Sequence, residues 1–211
     1  MKPALPQGVY GITAEKFSRG RSNIEVAREM IKGGCGIIQY REKLPDKTFA
    51  EMLAECRPIR ALTREAGVIF IVNDYPDLAI LADADGVHVG QDDFPPTEVR
   101  KLIGPDKLIG LSTHSPRQEL AARASGADYI GVGPIFATTT KVDVCDAVGF
   151  SYLDYVVKNS PLPFVAIGGI KEDNIGEVLA RGARTIGLVT EIVGSDDIAE
   201  TVRRLRRMWG G

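Results

Sequence analysis

No stretch of the 211-residue chain approaches the roughly 18 consecutive apolar residues that a membrane-spanning helix requires. The opening Met1-Lys-Pro-Ala-Leu-Pro-Gln-Gly8 also lacks the apolar segment of a secretion signal, so a cytoplasmic protein is expected. Cysteine is scarce: Cys35, Cys56 and Cys145 are odd in number and show no C-x-x-C spacing, which excludes a disulfide framework and a thiolate metal site. The two histidines, His88 and His114, have no neighbouring ligands of the kind that zinc uses. A formal charge of −2 gives no basic field to draw the chain onto nucleic acid or an acidic membrane. Any anionic ligand must therefore be held by a local group of residues. Low-complexity tracts, strict repeats and Pro/Ser-rich linkers are absent as well, so residues 1–211 are expected to form one domain around one core.

What the chain does have is a recurring short apolar run. Val9–Ile12, Ile37–Tyr40, Val68–Val72, Gly86–Val89, Leu108–Leu111, Tyr129–Val132, Phe164–Ile167 and Thr185–Val189 read as strands, separated by segments of helical spacing. Ile24, Ala27, Met30 and Ile31 mark one helical face, Leu120, Ala121 and Ala124 another, and a last helix runs from about Ile198 to Met208. Ser22 with Glu25 three residues on forms a capping-box pattern, and Ser115-Pro116 places proline at the first helical position. Gly33-Gly34, Gly126 and Gly182 are suited to closing helices. Strands without polar alternation fit a parallel sheet covered by helices, and eight such units predict an α/β fold, a (β/α)8 barrel. An open doubly wound sheet would carry a glycine fingerprint after its first strand, where this chain has Thr13-Ala-Glu-Lys-Phe17.

In such a barrel the active site lies at the C-terminal ends of the strands. Polar residues gather there: Gln39, Arg41, Glu42 and Lys43 after the second run, Asn73 and Asp74 after the third, Gln91, Asp92 and Asp93 after the fourth, and Ser112, Thr113 and His114 after the fifth. The sixth run leads into Gly131-Val-Gly-Pro-Ile-Phe-Ala-Thr-Thr-Thr-Lys141, whose small residues, hydroxyls and single cation suit a phosphate. Arg41 and Lys43 alternate with Glu42 on an extended segment, so both cations point one way and can converge with Lys141 on a polyanion. Asp74 and Asp93 offer the oxygen ligands that Mg2+ prefers, although each also precedes a proline-led helix that it could cap. His88, between Val87 and Val89, reads as a hydrogen-bonded barrel residue. Gly168-Gly169 and Thr190 occupy the ends of the last two strands, where many barrels bind phosphate.

The motifs Gln39-Tyr-Arg-Glu-Lys43, Val72-Asn-Asp74, Ala84-Asp-Gly-Val-His-Val-Gly-Gln-Asp-Asp93, Gly110-Leu-Ser-Thr-His114, Gly131 to Lys141 and Ala166-Ile-Gly-Gly-Ile170 closely resemble those of thiamine phosphate synthases, over essentially the whole chain. The resemblance implies a (β/α)8 barrel that joins hydroxymethylpyrimidine diphosphate to a thiazole phosphate and releases diphosphate. It further implies that Gln39, Arg41, Glu42, Lys43, Asn73, Ser112 and Lys141 bind the pyrimidine diphosphate. Among these, Arg41, Lys43, Ser112 and Lys141 are expected to be catalytic. Asp74 and Asp93 would hold Mg2+, and Thr138, Thr139, Thr140, Gly169, Val189 and Thr190 would meet the thiazole phosphate. Partners are then small molecules, and a homodimer is compatible with such a barrel although no residue specifies one. Tyr75 and Glu191 depart from the family's usual arginine and small residue, and Glu191 is expected to bring negative charge toward the thiazole phosphate. A thiazole tautomerase would need a proton shuttle, for which His114 is the candidate, and would not need the cation and carboxylate set. A non-catalytic sensor would share the site without turnover.

Overall fold

The computed structural model describes residues 2–138 and 146–210. Among these, eight parallel strands alternate with helices: β1 Gly8–Ile12, α1 Asn23–Gly33, β2 Ile37–Tyr40, α2 Phe49–Ala66, β3 Ile69–Asn73, α3 Pro76–Leu81, β4 Gly86–Val89, α4 Pro96–Ile103, β5 Leu108–Thr113, α5 Pro116–Ser125, β6 Tyr129–Val132, α6 Gly149–Asn159, β7 Phe164–Ile167, α7 Ile175–Ala180, β8 Thr185–Leu188, α8 Thr190–Val193 and α9 Ile198–Arg207. Each strand pairs with the next, and β1 returns to β8 through Val9 opposite Ile186 and Tyr10 opposite Gly187, closing the expected barrel.

Two apolar clusters divide the interior. One lies between strands and helices and takes Val9, Ile38, Tyr40, Phe70, Val72, Val87, Val89, Ile109 and Ile130, the outward members of the strands, together with helix residues such as Val26, Met30 and Ile59. The other fills the barrel with Tyr10, Ile12, Ile37, Ile71, Leu108, Tyr129 and Val165. Because side chains alternate along a strand, the position two residues beyond each inward apolar group also faces inward. That rule turns Gln39, Asn73 and Ser112 toward the barrel axis, above Ile37, Ile71 and the pair Leu108 and Gly110. Leu5 packs against the barrel cluster from the N-terminal segment, and the Thr185 hydroxyl donates to the Pro6 carbonyl at 2.8 Å.

The local helix signals appear where the chain chemistry places them. Ser22 and Glu25 form a reciprocal capping box on α1, and Thr48 and Glu51 form a second on α2 that the same pattern would have revealed. Ser115 caps α5 ahead of Pro116, and α1 and α5 end on Gly34 and Gly126 in the left-handed conformation. The face of α5 is the reverse of that expected from Leu120, Ala121 and Ala124. Leu120 is exposed, whereas Glu119 and Ala122 are buried. Inside the protein Glu119 Oε1 accepts from Arg123 Nε and Ser160 Oγ, each at 2.5 Å, while Oε2 is buried without a hydrogen-bond partner among the described residues.

Two aspartates lock the N-terminal side of the barrel. Asp85, just before β4, accepts the Phe70 N–H at 2.8 Å and a two-pronged contact from Arg60 at 2.8 and 2.9 Å. Asp128, just before β6, accepts the Ile109 N–H at 2.8 Å, Arg100 at 2.5 Å and Lys2 at 2.6 Å. In each case a carboxylate bonds the neighbouring strand's backbone and is neutralised by an arginine, an arrangement stronger than neutral hydrogen bonds. Replacing Asp128 by alanine strands both the arginine and a strand N–H, so Asp128→Ala is expected to lower unfolding free energy by about 2–3 kcal/mol in denaturant titrations. Wild-type stability in that variant would show that the strand is held by packing alone.

Candidate active site

The C-terminal ends of the strands open into a cavity of about 510 Å³, with Tyr10, Gln39, His88, Ser112 and Ile167 among its lining residues. Strand parity explains how β2 populates it. Gln39 faces the cavity, and the chain continues extended so that Arg41 and Lys43 also line it. Glu42 takes the opposite direction and is not a lining residue. Its carboxylate accepts the Glu15 N–H at 2.8 Å and the Asn23 side-chain amide at 2.9 Å. The Arg41 N–H donates to the Thr13 hydroxyl at 3.1 Å. Expected as a substrate contact, Glu42 is instead the anchor that keeps the two flanking cations turned inward.

Behind Glu42 lies a half-buried polar network. Asn23 also reaches Glu55 at 2.9 Å, the Tyr40 hydroxyl donates to Glu55 at 2.6 Å, and Lys47 bridges Glu15 and Glu55. Burial pushes the Glu55 carboxyl up, but Lys47, Tyr40 and Asn23 together outweigh it and hold the group below the usual carboxylate range.

Asn73 at the end of β3 and Asp74 just beyond it both line the cavity. Asp74 has φ 63°, a left-handed conformation uncommon outside glycine, asparagine and aspartate, and its N–H donates to the His88 carbonyl at 2.8 Å. Lys43 Nζ lies 2.9 Å from Asp74 Oδ2. Asp93 accepts the Gly90 N–H at 2.7 Å and stands beside Asp74. Neither aspartate caps a helix: Tyr75 precedes α3 and Pro95 precedes α4, both without a side-chain cap. Burial raises the Asp93 carboxyl above its usual range, and the neighbouring Asp74 charge adds to the rise. Two carboxylates crowded in this way fit a divalent cation, which would relieve their repulsion. Among the described residues no three His, Cys, Asp or Glu side chains gather as a metal cage, so such a cation would complete its oxygen shell from water or a bound phosphate.

The far wall comes from the last three strands. Ala137 and Thr138 beyond β6, Gly168 and Gly169 beyond β7, and Val189 and Thr190 beyond β8 all line the cavity. Thr139, Thr140 and Lys141 lie outside the described residues, as does Cys145; Cys35 and Cys56 are free and buried. Gly168 and Gly169 have φ values of 97° and 65°, and a Cβ on them would come within 2.4 Å of Pro134 and 2.7 Å of Phe136. The Phe136 N–H donates to the Gly168 carbonyl at 2.9 Å, so the β6 and β7 loops pack backbone against backbone. Glu191, expected to project charge toward this wall, instead accepts the Glu172 N–H at 3.1 Å and does not line the cavity. Tyr75 packs edge-on against Phe49 with ring centroids 5.1 Å apart.

His88 is hydrogen-bonded, as its strand position implied: its ring nitrogens contact Tyr129 Oη at 3.1 Å and Ser112 Oγ at 3.0 Å. Tyr10, Phe17 and Lys171 also line the cavity without having been singled out in the sequence. Tyr10 was open to detection, because it shares the inward parity of Ile12; Phe17 ends a single 3-10 turn, Glu15–Phe17, and Lys171 sits on a loop, neither of which carries a periodic signal. The wall thus offers the cations Arg41, Lys43 and Lys171, the Asp74 carboxylate with Asp93 beside it, neutral hydrogen-bonding groups and an apolar flank, enough to hold an anion beside a planar organic group.

The chain is similar to known proteins along nearly its whole length. The family described as thiamine monophosphate synthase matches residues 9–192. A thiamine-phosphate synthase of Pelotomaculum thermopropionicum is 62% identical over 202 residues, covering 96% of this chain and 92% of that protein. That of Lawsonia intracellularis is 52% identical over 204 residues, covering 97% and 93%. A solved thiamine phosphate pyrophosphorylase from Pyrococcus furiosus superposes with a TM-score of 0.88 at 34% identity, covering 97% of this chain and 96% of that one.

The crowding of Asp74 and Asp93 has a measurable sign. A carboxyl raised in the folded state contributes stability below its unfolded value, near pH 4, and loses it as pH rises through the folded value. In chelator-treated protein, Asp93→Asn is therefore expected to raise the melting temperature at pH 7 by about 1–2 °C and to leave it unchanged near pH 3.5. A fall at pH 7 would show that the Gly90 contact outweighs the repulsion.

Proposed function

From the chain's membership of the thiamine monophosphate synthase family, whose members are transferases of thiamine biosynthesis, we propose that it joins 4-amino-2-methyl-5-hydroxymethylpyrimidine diphosphate to 4-methyl-5-(2-hydroxyethyl)thiazole phosphate. The bond between the pyrimidine methylene and the diphosphate oxygen breaks with its electron pair leaving on diphosphate. The thiazole nitrogen then donates its pair to the methylene carbon, giving thiamine monophosphate. No protein nucleophile is needed, because the pyrimidine delocalises the positive charge left on the methylene.

The observation that carries this reading is the meeting of Arg41 and Lys43 with the Asp74 and Asp93 pair on one side of a cavity whose floor is apolar or neutral. Arg41, Lys43 and Lys141 neutralise the departing diphosphate, and Ser112 donates a hydrogen bond to it. The Lys43 contact to Asp74 is half exposed and contributes little to stability, so the ammonium is readily redirected to a ligand anion. Gln39 and Asn73 orient the pyrimidine. Thr138, Thr139, Thr140, Gly169, Val189 and Thr190 hold the thiazole phosphate opposite it, which converts a meeting of two substrates into an ordered approach.

Asp74 and Asp93 would hold Mg2+, which supplies charge neutralisation of the leaving diphosphate. The Asp74 N–H bond to the His88 carbonyl holds the backbone at Asp74, and the Gly90 N–H orients the Asp93 carboxylate. The inward side chains Tyr10, Ile12, Val165 and Ile167 keep bulk water from a reactive cation.

The test is formation of thiamine monophosphate by purified protein supplied with both substrates and Mg2+, repeated with excess chelator. Metal-dependent product is expected, with Arg41→Ala and Lys141→Ala each reducing kcat/KM about 100-fold. A folded protein without product, or full turnover by Lys141→Ala, would overturn the proposal.

A further inference from the structure

Beneath the cavity, five side chains from β1, β2, β4, β5 and β6 form one continuous hydrogen-bonded line. Gln39 Nε2 donates to Tyr10 Oη at 2.8 Å, Tyr10 Oη lies 3.0 Å from Tyr129 Oη, and Tyr129 Oη lies 3.1 Å from His88 Nδ1. His88 Nε2 then lies 3.0 Å from Ser112 Oγ. The barrel wall is built to admit this line: a Cβ on Gly110 would sit 2.3 Å from His88 Nδ1 and 2.5 Å from Tyr129 Oη.

We propose that Tyr10, Tyr129 and His88 are positioning residues that relay one direction of hydrogen bonding from Gln39 to Ser112, leaving the Ser112 hydroxyl as a donor and the Gln39 carbonyl as an acceptor toward the substrates. The number of hydrogens on the line sets its direction. Burial pushes both phenols far above their ordinary range, so each keeps its single hydrogen. Tyr10 accepts from the Gln39 amide and therefore gives its own hydrogen to Tyr129. Tyr129 must then donate to His88 Nδ1, which fixes the imidazole as its Nε2–H tautomer. That Nε2–H donates to Ser112 Oγ, and the serine hydrogen is left for the cavity.

Turning the Gln39 amide over would reverse every bond in the line. Ser112 would then give its hydrogen inward to His88 and present lone pairs to the cavity. Arg41 and Lys43 line the same cavity, and the proposed function, on which this inference rests, brings a diphosphate there. Lone pairs facing that anion would repel it, whereas the donor polarity binds it.

The imidazole tautomer reads the direction without turnover. The protein has two histidines, so 15N-histidine labelling gives a simple spectrum, assigned with the variant His114→Asn. His114 Nδ1–H donates to the Gly133 carbonyl, so its expected tautomer is the opposite of that of His88. In the wild type, His88 is expected to show a protonated Nε2 and a bare Nδ1. Tyr129→Phe is expected to mix the two tautomers and to weaken binding of inorganic diphosphate with Mg2+ about 5- to 10-fold, and Tyr10→Phe to do the same. A protonated Nδ1 on wild-type His88 would overturn the relay. So would a folded Tyr129→Phe with an unchanged His88 signal and unchanged diphosphate affinity. If Tyr129→Phe does not fold, the wild-type tautomer decides. Failure to make thiamine monophosphate would count against the proposed function alone, since neither readout here uses the reaction.

Discussion

Closure of β1 onto β8 is the constraint from which the site follows. Once the sheet has no free edge, every strand has an inside and an outside, and a residue's parity decides whether it meets the helices or the axis. The outward set is apolar, mostly aliphatic with Tyr40 and Phe70, which seals strands to helices. The inward set changes character along each strand. Ile37, Ile71 and Leu108 fill the lower barrel, and Gln39, Asn73 and Ser112 stand above them at the cavity. Stability and chemistry are thereby separated by height within one set of strands.

Past the end of β2 there is no sheet to enforce parity, and a polar anchor takes over. Glu42 is drawn toward Glu15 and Asn23, which turns Arg41 and Lys43 the other way. Asn23 lies within hydrogen-bonding distance of three carboxylate oxygens with only two amide hydrogens, and its own Oδ1 is buried without a partner among the described residues. The network that Asn23 joins holds the Glu42 carboxylate on the side opposite the two cations, which face into the cavity despite their mutual repulsion.

The paired carboxylates also carry a local cost. Asp74 adopts a left-handed backbone and Asp93 titrates high beside it, so both carry a cost in the protein alone. A bound cation would turn that cost into affinity. The neutral line from Gln39 to Ser112 complements the charged side, since it supplies directed hydrogen bonds without adding charge to an already crowded wall.

The apolar runs, the glycine exits and the capping box at Ser22 were enough to specify eight strands, their order and a closed barrel, because local hydrophobic spacing and helix ends depend on near neighbours in the chain. Strand-end position likewise singled out Gln39, Arg41, Lys43, Asn73, Asp74, Ser112, Gly169 and Thr190, all of which line the cavity. Other features depended on residues far apart in sequence. Which face of α5 is buried was decided by Arg123 and Ser160 compensating Glu119, not by the apolar spacing of Leu120. The outward turn of Glu42, the capture of Glu191 by the Glu172 N–H, and the line joining Tyr10, Tyr129 and His88 likewise required the folded chain. Periodicity fixes a residue's side of a strand, but a hydrogen-bond partner 19 to 119 residues away is chosen only when the barrel closes and brings the strands into register.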